Sequence, residues 1–131
     1  VLLRLFYFGL EVPADLARAA LAPVAIDDLL ANGILATTPG GVRSRVQLII
    51  RGSTLTTNDP PSPNPGPHKV MGVAGTTLIM SDVALRIPFE SALDMGAGSG
   101  LLAIRAAAHC TRVVATDFNP AASAFAAFNA A

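Results

Sequence analysis

The stretch Ala92-Leu93-Asp94-Met95-Gly96-Ala97-Gly98-Ser99-Gly100-Leu101-Leu102 decides how the rest of the chain is read. An apolar run reaches a carboxylate, three glycines follow at alternate positions, and an apolar segment resumes. The pattern predicts a buried strand, a tight turn and the opening of a helix. Glycines suit such a turn because its backbone takes φ values and approach distances that a Cβ forbids. The turn is expected to leave amide groups free to face a ligand.

Spacing separates two ligand classes that use a strand–glycine–helix corner. The dinucleotide fingerprint is Gly-x-Gly-x-x-Gly, in which the helix N-terminus receives a pyrophosphate. Here Gly96, Gly98 and Gly100 give Gly-x-Gly-x-Gly, and Leu101 stands where that fingerprint wants glycine. Asp94 lies two positions before the first glycine. A carboxylate there repels phosphate and favours a ligand with a cationic or hydrogen-bond-donating end.

A second motif follows. Arg112-Val113-Val114-Ala115-Thr116-Asp117 is a short apolar run ending in an acid, continued by Phe118-Asn119-Pro120 and an alanine-rich stretch. An acid is expected about 20 residues beyond the glycines in this strand–glycine–helix pattern, and a carboxylate, a pure acceptor, can take two O–H donors at once. Together the two motifs resemble the opening of class I S-adenosylmethionine-dependent methyltransferases, including those that modify release-factor glutamine or ribosomal RNA guanine. The resemblance implies S-adenosyl-L-methionine as cofactor and roles for individual residues. Asp94 would order the glycine loop and approach the amino-acid end; Gly96, Ala97, Gly98 and Gly100 would line the cofactor. Asp117 would bind ribose, Phe118 would pack on adenine, and Thr76 or Thr77 would contact the methionine end from a loop and short helix.

The acceptor implied is a nitrogen of protein glutamine or of an RNA or DNA base, so the partner is protein or nucleic acid. The Asn-Pro-Pro-aromatic motif that supports such a nitrogen in the family is absent: Asn64-Pro65 and Asn119-Pro120 lack the second proline. The catalytic residues are therefore not named. Taken singly, Asp94 reads equally as an acid favoured by a helix dipole, and Asp117 as a strand-end turn residue. Two alternatives stay open, an NAD- or nucleotide-sugar-binding Rossmann enzyme and a non-catalytic winged-helix regulator with a nucleoside-ligand domain.

Composition narrows the field further. In 131 residues, nine Lys and Arg balance nine Asp and Glu, so no bulk attraction to nucleic acid or anionic membrane is indicated. The lone cysteine, Cys110, excludes an intrachain disulfide and has no histidine or carboxylate at a telling position beside it. His68 and His109 are too far apart to suggest a metal site. Val1 to Leu10 is apolar enough to suggest a signal-peptide core, but the charged segment Glu11 to Ala20 argues against it, and a cytoplasmic location is expected. Ala131 falls inside a helical pattern without a cap or glycine stop, which reads as a fragment.

Upstream, three short helices are expected: Leu2 to Phe8 closed by Gly9, Val12 to Leu21 with Pro13 in the first turn, and Ile26 to Asn32 closed by Gly33. Ile34 to Thr37 and Val42 to Ile50 then read as a hairpin around Thr38-Pro39-Gly40-Gly41. This order over residues 1–52 resembles a winged helix. Arg43 and Arg45 would share one strand face, yet Asp27 and Asp28 occupy the helix that would enter a groove, leaving no clear electrostatic footprint. Residues 53–67, rich in proline, read as a linker.

From residue 68 the main domain begins. A helix near Leu78 is expected to be capped by Thr76 or Thr77. Strand Ser91 to Asp94, helix Leu101 to Ala108, strand Arg112 to Thr116 and a helix from Pro120 capped by Asn119 complete the reading. The fold class is α/β, an incomplete Rossmann-like sheet preceded by a small α+β winged-helix-like domain. Two strands leave a sheet edge and much apolar surface uncovered.

Overall fold

The computed structural model describes residues 1–131 and is mixed α/β, with three two-stranded sheets and several helices. It divides into two compact units, Val1–Leu48 with Asp59–Pro63, and Ile49–Asn58 with Asn64–Ala131.

The first unit opens with a π-helical turn, Leu3–Tyr7, that Gly9 at φ 61° ends. Helices α1 (Ala14–Leu21) and α2 (Ile26–Ala31) precede strands β1 (Leu35–Thr38) and β2 (Gly41–Ser44). Pro13 sits at the N-cap of α1 in an extended conformation and not inside its first turn as expected. The reason is Val12, which exchanges two backbone hydrogen bonds with Val42 at 2.9 and 2.8 Å and so belongs to the sheet edge. Strands β1 and β2 are antiparallel, pairing Thr38 with Gly41 across a Pro39-Gly40 turn. At Gly41 any Cβ would collide with the Val12 carbonyl, so the edge bridge itself demands glycine.

This unit has a closed core. Leu5, Val12, Ala17, Ile26, Leu35 and Val42 are buried together, with Phe6, Leu21, Leu29 and Leu30 packed against them. Every element contributes at least one member, and each large side chain so removed from water contributes about 1.5–3 kcal/mol.

The expected second strand of this hairpin, Val42 to Ile50, is broken. The Ser44 hydroxyl donates to the Val46 carbonyl at 2.6 Å and accepts from the Val46 amide at 3.2 Å, a local turn that competes with the ladder. The chain therefore leaves β2 at Ser44 and resumes as β3 (Gln47–Arg51), which pairs with β4 (Thr54–Asn58). Arg43 lies in β2 and Arg45 in the bend after it, so the pair does not share a strand face as expected. Strand β4 also occupies the first part of the segment read as linker, and its Thr56, Thr57 and Asn58 are buried.

In the second unit, α3 (Gly75–Val83) precedes β5 (Phe89–Met95), α4 (Leu101–Ala107), β6 (Cys110–Thr116) and α5 (Pro120–Ala130). Helix α3 starts earlier than expected, because the Leu78 amide already bonds the Ala74 carbonyl at 3.1 Å. Thr76 and Thr77 thus fall within its first turn, and neither caps it; Ala74 is the N-cap without a side-chain bond. Asn119 does cap α5, accepting from the Ala121 amide at 3.0 Å, and also donates to the His68 carbonyl at 2.9 Å.

Strands β5 and β6 are parallel, in register from Phe89 opposite Cys110 to Met95 opposite Thr116. Helix α4 packs on both strands and α3 packs on α4. Alternation assigns Leu93 and Met95 to one face of β5 and Ala92 and Asp94 to the other. The first pair stays 61% and 79% exposed, whereas the second is half-buried, so one face of the parallel pair is open.

Candidate functional site

The parallel register brings the carboxyl ends of β5 and β6 side by side, and the two acids with them. Asp117 follows the last residue of β6. Both its oxygens accept backbone amides, Oδ2 from Gly98 and Oδ1 from Asn119, each at 2.9 Å. Asp94 lies inside β5, and its Oδ2 accepts from the amide of Ala103 at 3.1 Å. Ala103 is in the first turn of α4, so Asp94 serves that helix end, while Asp117 is the acid that bonds the glycine loop directly.

Gly96, Gly98 and Gly100 all take left-handed φ values, 74°, 55° and 85°. At Gly100 space is also limiting, because a Cβ would stand 3.0 Å from both Cα and Cβ of Ala126 on α5. Around Gly96 and Gly98 no atom lies within 4 Å of such a Cβ, so the loop presents bare backbone to open space there.

Four of the loop's amides, however, are not free as the sequence leads one to expect. Those of Gly96 and Ala97 donate to the Thr116 carbonyl at 2.8 and 3.0 Å, that of Gly98 to Asp117, and that of Gly100 to the Ala97 carbonyl at 2.8 Å. The amides of all three glycines are thus spent within the fold. Burial raises the Asp94 pKa above the ordinary aspartate value, the hydrogen bond from Ala103 lowers it, and the nearby charge of Asp117 raises it again. Two carboxylates thus flank the glycines, close enough for one to raise the pKa of the other.

The remaining expected contacts are spread more widely. Asp94 lines a cleft of about 610 Å³ with Ser81, Arg86 and Arg105, and Cys110 is on its wall. Asp117 lines a separate cleft of about 370 Å³ with Ala97, Gly100, Ser123 and Ala126. The single cleft expected to unite the two acids is therefore two separate recesses, one lined by each acid. Phe118 is 97% exposed beside Asp117, and Thr77 is half-buried in α3; neither lines a recess.

Sequence reasoning missed Asn129. Its side chain accepts from the amide and hydroxyl of Thr57 and donates to the carbonyls of Thr57 and Ser99, so it ties β4 to the glycine loop. The signal at hand was an amide side chain in the otherwise apolar, alanine-rich α5. Ser81 was also missed; it is buried, and its hydroxyl lacks a hydrogen-bond partner.

Residues 1–45 match a family described as a domain of unknown function, DUF7059. No curated protein matches the chain. The family match lies upstream of the glycine loop and both acids. No helix of the structure is long and apolar enough to cross a membrane.

Proposed function

We propose that the second unit is the cofactor-binding half of a class I S-adenosylmethionine-dependent methyltransferase with an incomplete Rossmann-like sheet, and that the first is a small winged-helix-like domain. One observation carries the reading: a glycine loop whose three glycine amides are bonded within the fold, flanked by two acids. A pyrophosphate is held by loop amides, and those of Gly96, Ala97, Gly98 and Gly100 already have partners inside the fold. A nucleoside bearing an ammonium and a sulfonium needs acceptors and negative potential, and the acids supply both. The NAD alternative loses support on the same grounds.

Under this reading Asp94 faces the ammonium end and Asp117 accepts from the ribose hydroxyls, its oxygens retaining lone pairs beyond the two amides they already receive. Gly96, Ala97, Gly98 and Gly100 give the close, side-chain-free approach. Phe118, exposed next to Asp117, has an apolar ring available for the adenine. Thr77, from α3, stands for the methionine end. The cofactor, when bound, supplies an electrophilic methyl group on sulfur for an acceptor nitrogen of protein glutamine or of a nucleic-acid base. What these residues do is hold and orient, which lowers the barrier by alignment.

The test is equilibrium binding of S-adenosylmethionine to the wild-type protein and to Asp117→Ala. Saturable binding by the first, lost in the second while its circular dichroism is kept, supports the assignment. Equal affinity in both defeats it. The regulator reading has one support, the helix-rich first unit; it gains if Arg43→Ala weakens RNA or DNA binding in a salt-dependent manner.

A further inference from the structure

We propose that Asn129 is a positioning residue for the glycine loop, acting from α5 through the Ser99 carbonyl. Its consequence for a ligand rests on the cofactor reading above; the loop coupling itself does not.

The amide of an asparagine side chain has two N–H donors and a carbonyl with two lone pairs, and at Asn129 all four are used. Oδ1 accepts from the Thr57 amide at 2.8 Å and from Thr57 Oγ1 at 2.7 Å. Nδ2 donates to the Thr57 carbonyl at 2.9 Å and to the Ser99 carbonyl at 2.8 Å. Thr57 and Ser99 are themselves buried, so these bonds form away from competing water. Aspartate has no donor for the two carbonyls, and glutamine is one methylene too long.

The loop is held from two directions. Its first half hangs on the end of β6, through Thr116 and Asp117. Its second half rests on α5, where Gly100 approaches Ala126 and Ser99 is bonded by Asn129. Residues 126 and 129 are three apart and share a helix face. Asn129 is thus the polar half of a clamp whose apolar half is Ala126. Through Thr57 it fixes that clamp to β4, 72 residues earlier in the chain. Gly98, next to Ser99, is where the loop meets Asp117, so a displaced Ser99 peptide disturbs that contact across a single residue.

The experiment is amide hydrogen exchange by NMR on the intact protein and its Asn129→Ala, Asn129→Asp and Thr57→Val variants, with S-adenosylmethionine titrations on the same samples. In Asn129→Ala, exchange at Gly98 and Gly100 is expected to rise about tenfold, while the Leu93 and Val114 amides of the β5–β6 pair hold their rates. Asn129→Asp should exceed it, because a carboxylate then faces two carbonyl oxygens. Thr57→Val, which removes one accepted bond and keeps the backbone ones, should shift the same amides about two- to threefold. Loop exchange within about twofold of wild type in a folded Asn129→Ala protein overturns the proposal. Should that variant not fold, an unchanged loop in Thr57→Val overturns it equally. Cofactor affinity is expected to fall about tenfold in Asn129→Ala. If the wild-type protein itself fails to bind S-adenosylmethionine, the cofactor reading falls, and the exchange rates still judge the clamp.

Discussion

The two units solve the problem of burial in opposite ways. In the first, short elements from along the segment converge, and Leu5, Ile26 and Leu35 are at most 2% exposed. In the second, a parallel pair of strands carries helices on one face and leaves Leu93 and Met95 uncovered on the other. Parallel strands are usually buried on both faces, which is why their sequences read as continuous apolar runs. The closed unit is held by its side chains. The open unit is held at its loop end by backbone and polar bonds, and that end is where the acids and glycines gather.

Emptying the closed core should have the largest effect. Ile26→Ala or Leu35→Ala is expected to cost about 2–5 kcal/mol in chemical denaturation, since each vacates a site with little room to collapse. Next in size comes Gly100→Ala, expected to cost about 1–3 kcal/mol from the left-handed φ, with the approach to Ala126 adding to it. Gly96→Ala meets open space and should lose only the conformational part, so the pair of variants separates strain from crowding.

Asp94→Asn extends the contrast to pH. The Asp94 pKa is raised in the fold, so the native state binds its proton more tightly than the unfolded chain does. Stability from this group is therefore fully present below the ordinary aspartate value and is lost as pH rises through the raised one. Across that window the melting temperature of the Asp94→Asn variant should gain on that of the wild type, and above it the difference should stay level. The smallest effect is expected on the open face, where Leu93→Thr should change stability by no more than about 0.5 kcal/mol. A loss comparable to that of Leu35→Ala would show that this face is covered in solution.

The elements near the glycines were legible because their signals are local. Asn119 before Pro120 announces a capped helix, and Gly96, Gly98 and Gly100 announce a turn of positive φ. The order of short helices and first hairpin was legible for the same reason. Strand β4 was not, because Thr54–Asn58 is polar and adjoins a proline-rich stretch; the side chain that bonds it, Asn129, is far away in sequence. The break after Ser44 was hidden because one hydroxyl decides it. At the site, the composition of the loop was readable but not the destination of its amides. Whether a glycine amide faces a ligand or the Thr116 carbonyl depends on how β6 ends beside it.

The decisive measurement is calorimetric titration of the protein with S-adenosylmethionine and, separately, with NAD. Saturable heat with the first and none with the second is the result expected of acid-flanked glycines with internally bonded amides. Binding of NAD alone, or of neither, would overturn the methyltransferase reading.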